Sequence, residues 1–383
     1  MEKTWLGDII RLMDKSNIEA FYQRQVTLGE WFRSSGYKKT EEFNEEDNEK
    51  RERLRGLNEI IGLPFDKPVQ FLATDLANKT PEVEKYIEEK GKELCAIRLI
   101  PYDIKLPKLR MRGETVVEAV KWFFKQEIDP KDYKVDFVPH NATNLWAAIM
   151  VINKKGIFGE LIKDSHSHLT QGFYEEEKPI LFYYDFKKWK LSRKNTQALK
   201  HLKTIIKKLK VTDNKKKKLL KDKFGANFYH NFISGYWETV CSQEFGLWFI
   251  DYNRILGEMY KDFVLKLESK KTKTKKTIIK GFAASGGTVV GEVKIIKAEE
   301  VADIKSIDNG TIIVCDVTTP DFVPLMKKCL AIVTDRGGIL SHAGIVAREL
   351  GLPCIVATKN ATMILKDGMK IKVEANKGII EIL

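Results

Sequence analysis

Residues 268–280 read "ESKKTKTKKTIIK", with six lysines in thirteen positions and no core-forming side chain before Ile278. Like charges repel and extend a chain, so this stretch cannot belong to a packed interior. It predicts a linker and forces the chain to fold as separate bodies on either side. The chain has 383 residues and 43% hydrophobic content, enough for a core in each body and for two or three domains.

Before the linker the texture changes twice. Residues 1–67 are charged and carry helix formers, with stop signals at Gly62 and Pro64, and predict a helical segment. From 68 to 190 short apolar runs alternate with helical spacing. "ELCAIRLIPYDI" (93–104), "YKVDFVPH" (133–140), "LWAAIMVINKKGIFGELIK" (145–163) and "KPILFYYDF" (178–186) read as strands. "GETVVEAVKWFFKQEI" (113–128) places Val117, Val120, Phe123 and Phe124 at helical spacing. Residues 191–267 look helical again, with "NTQALKHLKTIIKKLKV" and "YNRILGEMYKDFVLKLE" both amphipathic. Beyond the linker, 281–383 is Gly-rich at its start and then alternates strands with short helices, the mark of a compact α/β unit. The fold class expected is therefore α/β (α+β).

The formal net charge is +13. Such a surplus suits a nucleic acid, an anionic membrane or acidic small molecules. The lysines concentrate in a few segments, which reads as a solvated surface, and no nucleic-acid partner is expected. No run reaches 18 apolar residues and the amino-terminus lacks an apolar leader, so neither a membrane span nor export is expected. Five widely spaced cysteines with no CxxC pair suit free thiols in a reducing, cytoplasmic setting.

The chemistry concentrates in "TDRGGILSHAGIVARELGLP" (334–353). "CLAIVTD" is a buried strand, and Gly337 and Gly338 at its end let the backbone approach a bulky group. Ser341 suits an N-cap, which puts His342 in the first turn of a helix. Unpaired N–H groups and the positive end of the helix dipole favour an anion there. Three readings of His342 stay open on these grounds. It is a capping or core residue, a metal ligand, or a nucleophile that carries a phosphoryl group. No second ligand stands at metal spacing beside it.

In "TDRGGILSHAGIVARELGLPCIV" the residues Thr334, Gly337, Gly338, Ser341, His342, Ala343, Ala347, Arg348, Gly351 and Pro353 resemble the phosphohistidine signature of PEP-utilising enzymes. That group includes phosphoenolpyruvate synthase and pyruvate phosphate dikinase. The resemblance spans 281–383 and implies a β/β/α swivelling domain in which His342 is phosphorylated. It also implies that Thr334 and Ser341 position the imidazole or its phosphate, and that Gly337 and Gly338 admit it.

In dikinases of this kind an ATP-grasp domain loads the histidine. Residues 133–172 resemble the last part of such a domain, which makes 68–190 a divergent ATP-grasp-like region. The resemblance implies cofactor-binding roles for Arg98, Glu160 and Gln171, with Glu160 and Gln171 on the metal side and Mg²⁺ and ATP as cofactors. Here "FVPH" carries His140 where the family has Gln-Glu, and no Ser-Ser follows Arg98. "RMRG" (110–113) is a further candidate for an anionic pocket, and His166 and His168 are one for a metal. No GxxxxGK[ST] occurs, which argues against a P-loop kinase.

The expected function is a dikinase-type phosphotransferase. Nucleotide or PEP would phosphorylate His342, which passes the group to a small-molecule or protein acceptor, with the 268–280 linker as hinge. No PEP-binding barrel is expected after the swivelling signature, and whether a separate PEP or acceptor subunit is a partner stays open at this point. The alternative is a non-enzymatic phosphocarrier whose amino-terminal part docks separate kinase and acceptor proteins.

Overall fold

The computed structural model describes residues 27–103, 105–141, 144–163, 166, 169–170, 178–267, 278–298 and 300–383. The 268–280 linker lies outside them apart from Ile278–Lys280, as do Gln171, His168 and residues 1–26.

Three helices open the chain, Leu28–Ser35, Thr40–Asn48 and Lys50–Ile61. The third ends as the sequence predicts, on Gly62 in the left-handed conformation at φ 69°. The first lobe follows. It is a four-stranded antiparallel sheet ordered Val69–Leu72, Tyr133–Pro139, Leu94–Pro101, Leu109–Thr115. Alternation assigns its faces. Cys95, Ile97, Leu99, Val135 and Phe137 pack under the helices with Val83, Val116 and Phe123. The residues between them point the other way.

The second lobe is a six-stranded antiparallel sheet ordered Gly246–Asn253, Gly235–Ser242, Trp146–Asn153, Gly156–Ile162, Ile180–Tyr184, Trp189–Leu191. Its central strands are buried on both faces, which explains why "WAAIMVIN" and "GIFGELI" are apolar except at Asn153 and Glu160. One face, with Ala148, Met150, Ile152 and Trp237, is covered by Lys50–Ile61, Thr196–Lys208 and Asn214–Phe224. The opposite face, with Ile149, Val151, Phe158 and Tyr236, joins one core with Trp31, Phe32 and the C-terminal residues Ile339, Leu340, Ile345 and Val346.

The reading of 191–267 as helical therefore needs correction. Helix runs only through Thr196–Lys208 and Asn214–Phe224. "GYWETVCS" and "GLWFIDYN" are strands of the second lobe, and the helix after them covers only Arg254–Met259. Strand Gly235–Ser242 pairs with Trp146–Asn153 on one side and with Gly246–Asn253 on the other, a tertiary arrangement that a local reading of the segment does not see. The second lobe accordingly extends well past residue 190.

The C-terminal domain is an eight-stranded sheet. Its middle strands, Thr288–Ile295, Thr311–Cys315, Ala331–Thr334 and Cys354–Val356, are parallel. "TIIVC", "AIVT" and "CIV" are buried at every position, as parallel strands covered on both faces require. Helix His342–Glu349 connects two of them. The five cysteines are free thiols. Among the described residues no helix is long and apolar enough to cross a membrane.

Candidate functional site: a charged cleft that receives His342

Strand Ala331–Thr334 ends in a turn that Gly337 makes possible, since its φ of 109° strains any L side chain. The Thr334 hydroxyl donates to the Arg336 carbonyl within that turn. Ser341 caps the following helix from extended backbone. Its Oγ accepts from Gly344 N at 3.4 Å and donates to the Gly338 carbonyl at 2.8 Å. His342 is thus the first helical residue, as the sequence predicts. It stands edge-on to the buried Trp31, with ring centroids 6.3 Å apart.

The imidazole lines a cleft of about 600 Å³ between the two lobes. From the first lobe come Arg98, Arg110 and Arg112. Arg98 pairs with Arg110 across the strands, and Arg112 follows two residues on, so all three share the face turned from the helices. Like charges set directly opposite are destabilising. Three of them held in a cleft mark an anion site, and guanidinium suits phosphate oxygens. Burial, with Arg51 adding to it, pushes Arg98 down to about 10. Burial and the neighbouring Arg110 and Arg98 hold Arg112 well below its ordinary range.

The second lobe supplies two carboxylates. Glu238 and Asp251 face each other in register on adjacent strands. Glu238 accepts from the Tyr236 hydroxyl at 2.7 Å, and His166 Nε2 stands 3.1 Å from its other oxygen. Lys50 Nζ lies 3.1 Å from Asp251 Oδ2. Asp251 Oδ1 is buried and meets no hydrogen-bond donor among the described residues. Burial raises the Asp251 carboxyl, opposed by Lys50. Lys108 is bound to Asp47 at 2.6 Å, and burial lowers it to about 8.

His342 is drawn into this field. Burial first and Arg110 second lower its imidazole to about 4, against the pull of Glu238. The ring is therefore neutral near pH 7, with a lone pair available.

Of the residues singled out in the sequence, Arg98 and His342 meet in the cleft, together with Arg110, Arg112, His140 and His166. Glu160 does not line it. That side chain is 2% exposed and lies beneath the turn before His342, where its two oxygens accept from Ile339 N at 3.2 Å and Leu340 N at 3.4 Å. A Cβ at Gly338 would stand 2.3 Å from Glu160 Oε2. The space at Gly338 is thus filled by this carboxylate. Glu238 and Asp251 were missed because their strands read as helix. Their signal is one carboxylate on the core-facing side of each of two apolar strands.

The comparisons with known proteins converge on the C-terminal domain. Residues 307–378 match the family model for the PEP-utilising enzyme, mobile domain. A probable phosphoenolpyruvate synthase of Archaeoglobus fulgidus is 50% identical over 105 residues, 27% of this chain and 14% of that protein. One from Methanothermobacter thermautotrophicus is 43% identical over 113 residues, 30% of this chain and 16% of that one. The phosphoenolpyruvate synthase of Pyrococcus furiosus is 44% identical over 113 residues, 30% of this chain and 14% of its own length. The chain thus spans about one-seventh of the length of these relatives. An overlay on VanG D-Ala:D-Ser ligase of Enterococcus faecalis covers 55% of this chain and 53% of that one, at 15% identity and a TM-score of 0.29. The lobes are therefore read from their own residues. The C-terminal part of this chain is a mobile domain of the PEP-utilising enzymes.

Proposed function

We propose that this protein is a phosphotransferase in which a nucleotide bound in the cleft phosphorylates His342. One observation carries the reading: the imidazole of the mobile domain opens into the same cleft as Arg98, Arg110 and Arg112. The arginines bind the phosphate chain and spread the charge that builds on it. Helix His342–Glu349 adds the positive end of its dipole. A ring nitrogen attacks a phosphorus of the nucleotide's phosphate chain, the bridging P–O bond to that phosphorus breaks, and the rest of the nucleotide leaves with the electron pair. Trp31 packs edge-on against the imidazole, with ring centroids 6.3 Å apart.

A magnesium ion fits the carboxylate pair. Mg²⁺ takes one or two protein carboxylates and completes its shell with waters and phosphate oxygens. Glu238 and Asp251 supply such a pair, and the unpartnered Asp251 Oδ1 faces the need for a cation. Once bound, the ion would neutralise phosphate charge. Lys50 and Lys108 hold neighbouring carboxylates in place. Arg98 is given a phosphate-binding role in this reading, as the family resemblance implies. Gln171 and the 268–280 hinge belong to the reading but lie outside the described residues.

The test is incubation with ATP labelled at the β- or the γ-phosphoryl, with and without Mg²⁺. Acid-labile, base-stable label is expected on the protein, none on His342→Ala, and at least about a tenfold loss in Asp251→Asn, a buried charge-assisted contact being worth a factor of that order. No label with either nucleotide, alongside labelling by PEP and a separate kinase, overturns the reading and favours the phosphocarrier.

A further inference from the structure

Glu160 is a buried carboxylate at the boundary between the second lobe and the mobile domain, and the cleft does not use it. Among the described residues it has no cationic partner. Its contacts are the amides of Ile339 and Leu340, nearly 180 residues away in sequence. Burying a lone carboxylate costs free energy unless hydrogen bonds compensate. An apolar side chain would cement two apolar surfaces more cheaply. A carboxylate has a different property. It is satisfied by backbone amides when the surfaces meet and by water when they part, so the contact is specific and reversible.

The position of this carboxylate also fixes a distance. Glu160 pairs with Ile149, Ile149 with Glu238, and Glu238 with Asp251, so these four residues form one row across one face of the sheet. Adjacent strands lie about 4.8 Å apart, which puts Glu160 roughly 10 Å from Glu238 along the row. The turn Gly338–Leu340 sits on Glu160, and His342 follows two residues later at the helix start. Anchoring the turn at one end of the row delivers the imidazole to the carboxylates at the other. Gly338 completes the fit, because any side chain there collides with the Glu160 oxygens.

We propose that Glu160 is the positioning residue that docks the phosphohistidine turn, taking the Ile339 and Leu340 amides to set His342 over the cleft and releasing them when the mobile domain leaves. The docking contact stands on its own geometry. Only its consequence for His342 labelling rests on the function proposed above.

Hydrogen exchange on the full-length protein tests the contact without any appeal to activity. Peptides spanning Gly338–Leu340 are expected to be protected in the wild type. Glu160→Ala is expected to speed their exchange about tenfold or more, since the loss of two buried hydrogen bonds contributes on that scale. Exchange in Ala331–Thr334 stays as it was. Glu160→Gln keeps one carbonyl acceptor and is expected to restore part of the protection, a graded response that mere destabilisation of the fold does not give. Gly338→Ala attacks the same contact from the mobile domain. Its effect on exchange is expected to be large in the wild type and small in Glu160→Ala. Unchanged exchange of Gly338–Leu340 in both Glu160 variants overturns the proposal, and so does a full additional effect of Gly338→Ala on top of Glu160→Ala. Protection lost as expected while ATP labels neither protein would leave the docking residue standing and remove the proposed function.

Discussion

His342 illustrates how one residue's chemistry is set by neighbours that the sequence keeps far away. A free imidazole titrates near 6.5, but burial and Arg110 lower this one to about 4. The folded-state value lies below the unfolded one. Its contribution to stability is therefore present above about pH 6.5 and is lost as the pH falls towards 4. In the proposed transfer the neutral ring is the nucleophile, so the attacking form is fully populated at neutral pH. In a protein with isotope-labelled histidine, the His342 signals are expected to titrate with a midpoint near 4. Arg110→Ala should raise that midpoint. A midpoint near 6.5 in the wild type would place the ring in water rather than in the cleft. The place of His342 at a helix start was legible from its local sequence, a Gly-Gly turn and a capping serine. Its environment was not, because Arg110, Arg112 and Glu238 come from the other two bodies. Glu160 shows the same limit from the other side. The sequence offered a carboxylate near a strand end and family resemblance sent it to a metal, whereas the sheet register puts it under Gly338.

At the scale of elements, local rules worked where local chemistry decides. The helix His342–Glu349, its cap at Ser341 and the buried parallel strands all follow from capping, glycine and apolar runs. They failed over 235–253, read with its helical flanks, where strand Gly235–Ser242 pairs with Trp146–Asn153 more than 80 residues back and Gly246–Asn253 adds to its other edge. That misreading hid Glu238 and Asp251 and with them half of the cleft. The Ser341 cap carries a prediction at this scale. Its Oγ both accepts from Gly344 N and donates to the Gly338 carbonyl. Ser341→Ala removes both contacts and is expected to cost about 1 kcal/mol in urea unfolding. Faster amide exchange should be confined to the turn and the first helical turn. A loss of under about 0.3 kcal/mol would mean that the helix start is held by packing alone.

For the whole molecule, the telling feature is a core that ignores domain boundaries. A linker of lysines predicts bodies that fold apart, yet Trp31, Phe158, Tyr260, Ile339, Leu340 and Ile345 belong to one cluster. Tyr260 donates to the Ile339 carbonyl at 3.2 Å, Arg348 lies over the rings of Tyr260 and Phe263, and Lys327 reaches the Ser34 carbonyl at 2.9 Å. Helix Leu28–Ser35 is the wedge in this junction, and Trp31 is its largest side chain there, 4% exposed. Coupling of this kind makes the docked protein unfold cooperatively, because neither the second lobe nor the mobile domain keeps its face covered without the other. Calorimetry of the wild type should therefore give a single transition for the two. Trp31→Ala removes a buried aromatic and costs about 3–5 kcal/mol, nearly all of it at the junction. The expected result is two resolved transitions, the lower one shifted down and His342 exposed to solvent. A single transition that merely moves to lower temperature would show that the lobe and the mobile domain unfold as one unit without this helix, and that the wedge contributes stability rather than coupling.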